Sequence, residues 1–200
     1  MEIKEAIKHM KNGKAAGPDN LTPELLKADI TTAVDHLLPI IQDIWELEKI
    51  PTQWKEGLIV KIPKKGDLSV CGNWRGITLL NTINKIVAFI LSTRINKVLD
   101  QAFRKEQAGF RPGRSCTNQI NTLRIIIEQS VEMQSPLYLL FIDYEKAFDS
   151  VNREFMWKVL EMYSVPSKLL NLVKELYNEC ECKVIHCGKT GTHTHKIRHL

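Results

Sequence analysis

Residues 137–152 read LYLLFIDYEKAFDSVN, a run of large side chains that stops abruptly at Asp143. Leu137 to Ile142 carries no period-two alternation, the pattern of a strand buried on both faces. A carboxylate at the end of such a strand emerges at the rim of a sheet on a rigid element. Hard oxygen donors there suit Mg²⁺. The plainer alternative is an aspartate that only caps the turn after the strand. Asp149 repeats the residue type six positions on, and with Ser150 it reads as the cap of the next helix rather than as a second ligand.

The second chemical feature is cationic. Lys55, Lys61, Lys64, Lys65 and Arg75 face only Glu56 and Asp67 between residues 53 and 75. Arg104, Lys105, Arg111 and Arg114 face only Glu106 between residues 104 and 114. Both clusters lie among Gly and Pro, where a polyanion can approach the backbone. Solvated loops share that composition, so the clusters alone do not decide. Two other features carry little. CGKTGT imitates a phosphate loop, but the glycine required five residues before Gly188 is Lys183. Cys180, Cys182, His186, Cys187, His193 and His195 match no standard zinc spacing, and no metal is expected there.

These groups need elements to hold them. Ile3, Ala6, Ile7 and Met10 have helical spacing up to Asn12-Gly13. Thr22 followed by Pro23 marks a helix start. A longer amphipathic helix spans about 31–48, with Leu37, Leu38, Ile41, Ile44 and Trp45 on one side and Pro51 as its stop. GLIVKIP (57–63) and GITLL (76–80) read as strands around a KKGD turn. Asn81 or Thr82 caps a periodic helix through Val98. Further helices are expected at about 116–132, after Ser150 and from Ser167, with a final hairpin turning at Gly188–Gly191. The fold class is therefore α+β and helix-rich.

Two hundred residues, 44% hydrophobic and 26% charged, suit a globular chain of one ordinary or two small domains. The apolar runs are too short to span a bilayer, and the start, MEIKEAIKHMK, has no signal-peptide pattern. Five cysteines without an export signal point to reduced thiols, so an intracellular, non-secreted protein, nuclear or cytoplasmic, is expected. The net charge is +5.

Four stretches together resemble one family. FIDYEKAFDSVN resembles the first catalytic motif of reverse transcriptases, especially those of non-LTR (LINE-type) retrotransposons and group II introns. GKAAGPDNLTPELLK (13–27) is similar to the segment that precedes the fingers in non-LTR elements. WKEGLIVKIPKKGDLSVCGNWRGITLLN (54–81) is similar to their fingers hairpin, and EQAGFRPGRSCTNQI (106–120) to the segment before the palm. All four occur in the family's order across nearly the whole chain.

The resemblance implies a right-hand polymerase, with a helical segment over 1–53, fingers over 54–135 and the first part of an incomplete palm over 136–200. It implies an RNA template, a DNA primer, deoxynucleoside triphosphates and Mg²⁺, with Mn²⁺ as a substitute. Asp143 matches the catalytic, metal-binding aspartate, and the Tyr144 main-chain carbonyl a second ligand. Phe148 matches the ring that excludes a 2′-hydroxyl, and Arg75 the arginine on the triphosphate. Lys61 is expected to be a second contact to the nucleotide. Lys64 and Lys65 at the hairpin tip, with Arg111 and Arg114, are assigned to nucleic acid.

Two further palm segments implied by the resemblance, G-x-x-Q-G and Y/F-x-D-D, do not occur in these 200 residues. The chain reads as truncated before the remaining catalytic carboxylates. One aspartate does not hold two divalent cations and a triphosphate, so no polymerase activity is expected of this chain alone. Without neighbouring palm strands, Leu139 and Phe141 are expected to be poorly covered. The rival readings are a non-enzymatic basic RNA-binding remnant and a Mg²⁺-dependent phosphohydrolase using Asp143. The latter lacks the second aspartate expected at position 145, which is Glu.

Overall fold

The computed structural model describes residues 2–145, 147–148, 150–186 and 189–196. Its helical body is built around α4 (Thr82–Leu99), apolar on two sides. Ile83, Ile86 and Ile90 pack with Ile3, Ala6 and Ile7 of α1 (Glu2–His9) and Leu37 of α3 (Ile30–Leu47). Val87 and Leu91 pack with Ile44 and Ile50, and with Val165, Leu169 and Leu172 at and within α7 (Ser167–Tyr177). Between α1 and α3 lies α2 (Pro23–Ala28), whose expected cap is in place, with Thr22 accepting from the Leu25 N–H. The stop of α3 comes earlier than Pro51, because Glu48 enters the left-handed region at φ 53° and turns the chain out of the helix.

The sheet has the order β2-β1-β3-β4. Both expected fingers strands form, β1 (Glu56–Pro63) and β2 (Trp74–Leu80), antiparallel from Gly57↔Leu80 to Pro63↔Trp74. The C-terminal hairpin also forms, as β3 (Glu181–His186) and β4 (Lys189–Lys196). Its closing pair is His186↔Lys189, so the connection is 187–188, outside the described residues, and Gly191 lies within β4 rather than at the turn. Nothing in the sequence pattern signals that β3 pairs in parallel with β1, Glu56↔Glu181 through Val60↔Ile185. Gly57 permits it: a Cβ there would stand 2.7 Å from the Thr78 methyl and 2.8 Å from the Cys182 sulfur.

The joint between sheet and helices is a long-range hydrogen-bonded latch. Asn81 occupies the N-cap position of α4 but makes no capping bond with its side chain. Asp19, more than sixty residues earlier in the chain, does so instead. Its carboxylate accepts from the Thr82 N–H at 2.7 Å, while its own N–H donates to Asn81 Oδ1 at 3.0 Å. Asn81 Nδ2 donates to the Gln53 carbonyl at 2.5 Å, and Thr82 Oγ1 to the Leu21 carbonyl at 2.6 Å. An anion at a helix N-terminus also meets the positive end of the helix dipole. Gly17 lets the loop lie against the chain, because any Cβ would collide with the Leu80 carbonyl and the Asn81 N–H. The capping role expected of Asn81 or Thr82 therefore belongs to Asp19.

A second tie is ionic. Lys55, in a 3₁₀ turn (Thr52–Lys55), is only 3% exposed and lies 2.6 Å from the Glu175 carboxylate of α7. Burial pushes the Glu175 carboxyl up, but hydrogen bonds from Lys55, Asn178 and the Ile50 backbone, together with the Lys55 charge, more than offset it, and its pKa is lowered.

The expected buried strand at 137–143 is absent. Residues 135–144 have no regular structure, and Phe141 is 78% exposed. A strand exists by pairing, and among the described residues β1 pairs with β2 and β3, and β3 with β4, none of them with this segment. The poor cover expected for Leu139 and Phe141 is what the structure shows. The helix before it, α5 (Cys116–Glu132), forms as expected and is capped by Ser115, which accepts from the Thr117 N–H, yet buries none of its residues. After it, α6 (Arg153–Met162) is capped by Asn152, which accepts from the Phe155 N–H. The expected cap Asp149 lies outside the described residues. Among the described residues no helix is long and apolar enough to cross a membrane.

Asp19→Ala removes one cap and one chain-to-chain tie, and a loss of about 1–2 kcal/mol in urea unfolding is expected, with an unchanged urea dependence. Glu175→Gln strands a buried ammonium and is expected to cost about 3 kcal/mol. Because the folded Glu175 pKa is depressed, the pair's contribution is present above the unfolded carboxylate value and lost as pH falls through the folded one. The variant's acid-unfolding curve should therefore lack that limb.

Candidate nucleic-acid and nucleotide interface

The β1–β2 hairpin presents its cations in two directions. Lys61 opposes Gly76, and Arg75 opposes Ile62, adjacent pairs in an antiparallel ladder. Side chains of adjacent pairs point to opposite faces of a ribbon, so Lys61 and Arg75 do not share a side. Lys61 is held over the Trp74 ring, 4.8 Å from its centroid. Arg75 is exposed, and no ion pair among the described residues engages it.

The hairpin tip is ordered by its own polar groups. The Lys64 N–H donates to the Asn73 carbonyl at 2.7 Å, and its ammonium to the Gly72 carbonyl at 3.1 Å. Asp67 accepts from the hydroxyl and N–H of Ser69, at 2.7 and 2.9 Å, which hold its carboxyl below the usual range. Trp74 Nε1 donates to the Leu68 carbonyl at 3.0 Å. Lys64 is thus partly committed to the turn, whereas Lys65 is exposed without a salt-bridge partner among the described residues.

The two loop arginines differ in kind. The Arg111 side chain is 8% exposed. Its Nε donates to Asp100 Oδ1 at 2.6 Å, Nη1 to the Arg104 carbonyl and Nη2 to the Asp100 carbonyl, both at 2.9 Å. Its guanidinium also lies 5.7 Å from the Phe103 ring centroid. The planar fork spans three acceptors and closes the 100–111 loop, so Arg111 is a structural clamp and not a free phosphate contact. The clamp holds the Asp100 carboxyl below its usual range, chiefly through the Arg111 hydrogen bond, with the charges of Arg111 and Arg114 adding to it. Arg114 is exposed and directly follows Gly113, which has φ 72° in a turn that the Arg114 N–H closes onto the Arg111 carbonyl at 3.2 Å.

Asp143 and Tyr144 are exposed. Their oxygens are of the hard type that a Mg²⁺ ion takes. Among the described residues no group of three or more His, Cys, Asp or Glu side chains is placed to hold a metal ion, and no hydrogen bond or ion pair joins Asp143 to the hairpin cations. The residues present fit one metal-ligand arm and not a closed site. Phe148, 73% exposed, meets Phe110 edge to face at 5.8 Å and 86°. That contact brings the 102–115 loop to the segment that follows Asp143. Cys180 and Cys182 are reduced thiols whose pKa values burial pushes up. The rest of the cysteine and histidine set lies at positions whose side chains are outside the described residues.

Three contributors escaped the sequence reading: Asp19, Trp74 and Phe110. Phe110 was the most accessible of them, an aromatic between Gly109 and Arg111 in a cationic loop.

Residues 62–197 match the family described as Reverse transcriptase (RNA-dependent DNA polymerase). The chain is 29% identical, over 92% of its length, to the transposon TX1 uncharacterized 149 kDa protein of Xenopus laevis. It is 31% identical, over 82% and 75% of its length, to the probable RNA-directed DNA polymerases from transposon BS and transposon X-element of Drosophila melanogaster. It spans 14%, 19% and 17% of the lengths of these three relatives.

The two arginines should separate cleanly. Arg111→Ala is expected to lower the melting temperature and open residues 100–115 to limited proteolysis. Arg114→Ala is expected to leave both unchanged.

Proposed function

Because the chain belongs to the reverse transcriptase (RNA-dependent DNA polymerase) family, we propose that it forms the fingers and first palm portion of a non-LTR retrotransposon polymerase that copies RNA into DNA. The observation that carries this reading is one continuous family match, residues 62–197, which takes in the exposed hairpin cations Lys65 and Arg75, the Arg111–Arg114 loop, Asp143 and Phe148. We assign residues 1–53 to the helical lead-in, 54–135 to the fingers and 136–200 to the palm.

Each residue then has a task. Arg75, without an ion-pair partner among the described residues and always charged, binds the triphosphate of an incoming deoxynucleotide. Lys61, on the opposite face and stacked on Trp74, contacts strand phosphates rather than the same triphosphate. Lys65 and Arg114 bind the template or primer backbone, with Lys64 shaping the tip beside them. Phe148 packs against the nucleotide sugar, where a 2′-hydroxyl would clash. Asp143 and the Tyr144 carbonyl hold Mg²⁺, or Mn²⁺ in its place. Bound there, the ion would polarise the primer 3′-hydroxyl and the phosphates. Template RNA is met in the nucleus or the cytoplasm, and this reading places the protein there.

One carboxylate leaves two divalent cations and a triphosphate underneutralised. Residues 1–200 are therefore expected to bind single-stranded RNA and not to extend a primer with Mg²⁺ or Mn²⁺. In fluorescence anisotropy, log affinity should fall with log salt by about 0.7 per phosphate contact. Lys65→Ala and Arg114→Ala should each flatten that slope, and Asp143→Ala should leave it unchanged. Salt-independent binding would overturn the nucleic-acid role. Primer extension abolished by Asp143→Ala would overturn the expectation of inactivity.

A further inference from the structure

We propose that Phe110 is a stacking residue for an unpaired nucleobase of single-stranded nucleic acid, with Phe148 as its brace. The inference rests on the nucleic-acid reading above and deepens it. Phe110 is 93% exposed and sits at φ 56°, a left-handed conformation that a bulky side chain adopts only where its surroundings impose it. Those surroundings are well fixed. On one side the Arg111 guanidinium bonds to Asp100 and the Arg104 carbonyl. On the other, Ala108 is buried and Gln107 Nε2 donates to the Gly109 carbonyl at 3.1 Å. The fold thus spends order on presenting this ring to solvent.

Phe148 restrains the ring, edge to face at 5.8 Å, without covering it. An exposed aromatic pair could equally meet a protein surface, and local charge decides between the two. Within the 102–115 loop Arg104, Lys105 and Arg114 are exposed against Glu106, with Asp100 just before it ion-paired to Arg111. The segment that carries Phe148 adds the exposed Asp143 and Glu145, the metal-facing end in the reading above. A loop with an excess of exposed cations that also presents a free ring fits a polyanion whose units carry flat faces. Stacking of this kind tolerates any base, because every base has such a face.

The test uses the full 200-residue chain and two oligoribonucleotides of equal length and charge, one normal and one fully abasic. Wild type is expected to prefer the normal strand by about 5- to 150-fold, the range that one base-aromatic stack supplies. Phe110→Gly keeps the left-handed backbone without its strain, so the loop survives while the ring is lost. This variant should bind the abasic strand as wild type does and lose the preference for the normal one, with melting temperature and salt slope unchanged. Phe110→Trp should restore the preference, and Phe148→Ala should weaken it. The same loss is expected on single-stranded DNA of that sequence, because the ring reads the base and not the sugar.

Equal binding of both strands by wild type and Phe110→Gly overturns the stacking site and leaves the phosphate contacts standing. A loss confined to RNA overturns it in favour of a sugar contact. Self-association of the wild type that Phe110→Gly abolishes assigns the ring to a second copy of the chain, and also overturns it. Absence of any RNA binding overturns this inference and the nucleic-acid reading together.

Discussion

The bond from the Thr82 N–H to the Asp19 carboxylate is the joint on which the molecule turns. A helix of 18 residues leaves unsatisfied N–H groups at its start, and the start of α4 is also where the hairpin feeds into the bundle. Placing the acceptor on a remote loop makes helix capping and chain-to-chain registration one event. Through Asn81 the same cluster reaches Gln53, just before β1, so both strands of the hairpin are anchored at their bundle end. The free end of that hairpin carries Lys65 and Arg75. Their placement depends on a latch made by side chains with no part in phosphate binding.

Away from this joint the packing is uneven. One half is a bundle around α4, with isoleucine, valine and leucine side chains buried from several helices. The other half, α5 and residues 135–148, turns Ile120, Ile126, Phe141 and Phe148 to solvent. The difference is one of pairing. A helix satisfies its backbone hydrogen bonds within itself and needs no neighbouring segment to complete them, so α5 is regular although exposed. A strand borrows its hydrogen bonds from a neighbour, so 137–143 stays irregular however strand-like its composition.

Charge is sorted in a related way. Arginine is used twice in one loop for opposite purposes: Arg111 is spent on holding the loop shut, and Arg114 is left to solvent. Asp100 is the partner that makes the first use possible, and by being neutralised it removes an acid from a surface proposed to meet phosphates. Lys55 follows the same logic in the interior, where its ammonium tolerates burial because Glu175 lies beside it.

From the sequence by itself came the element types with local signals: the Thr22-Pro23 start, the periodic faces of α3 and α4, the two fingers strands and the C-terminal hairpin. The family, too, was legible there, in four ordered motifs ending at Asp143, because motif order survives without any knowledge of contacts. Tertiary structure alone decided the distant partnerships. Asp19 and not Asn81 caps α4, β1 takes β3 as a parallel neighbour, Arg111 is a clamp, and Phe110 meets Phe148. Local spacing cannot encode these, because each depends on a residue more than ten positions away arriving within hydrogen-bonding or ring-contact distance. The missing strand at 137–143 follows from the same rule: composition makes a segment able to pair, and only the rest of the fold supplies the partner.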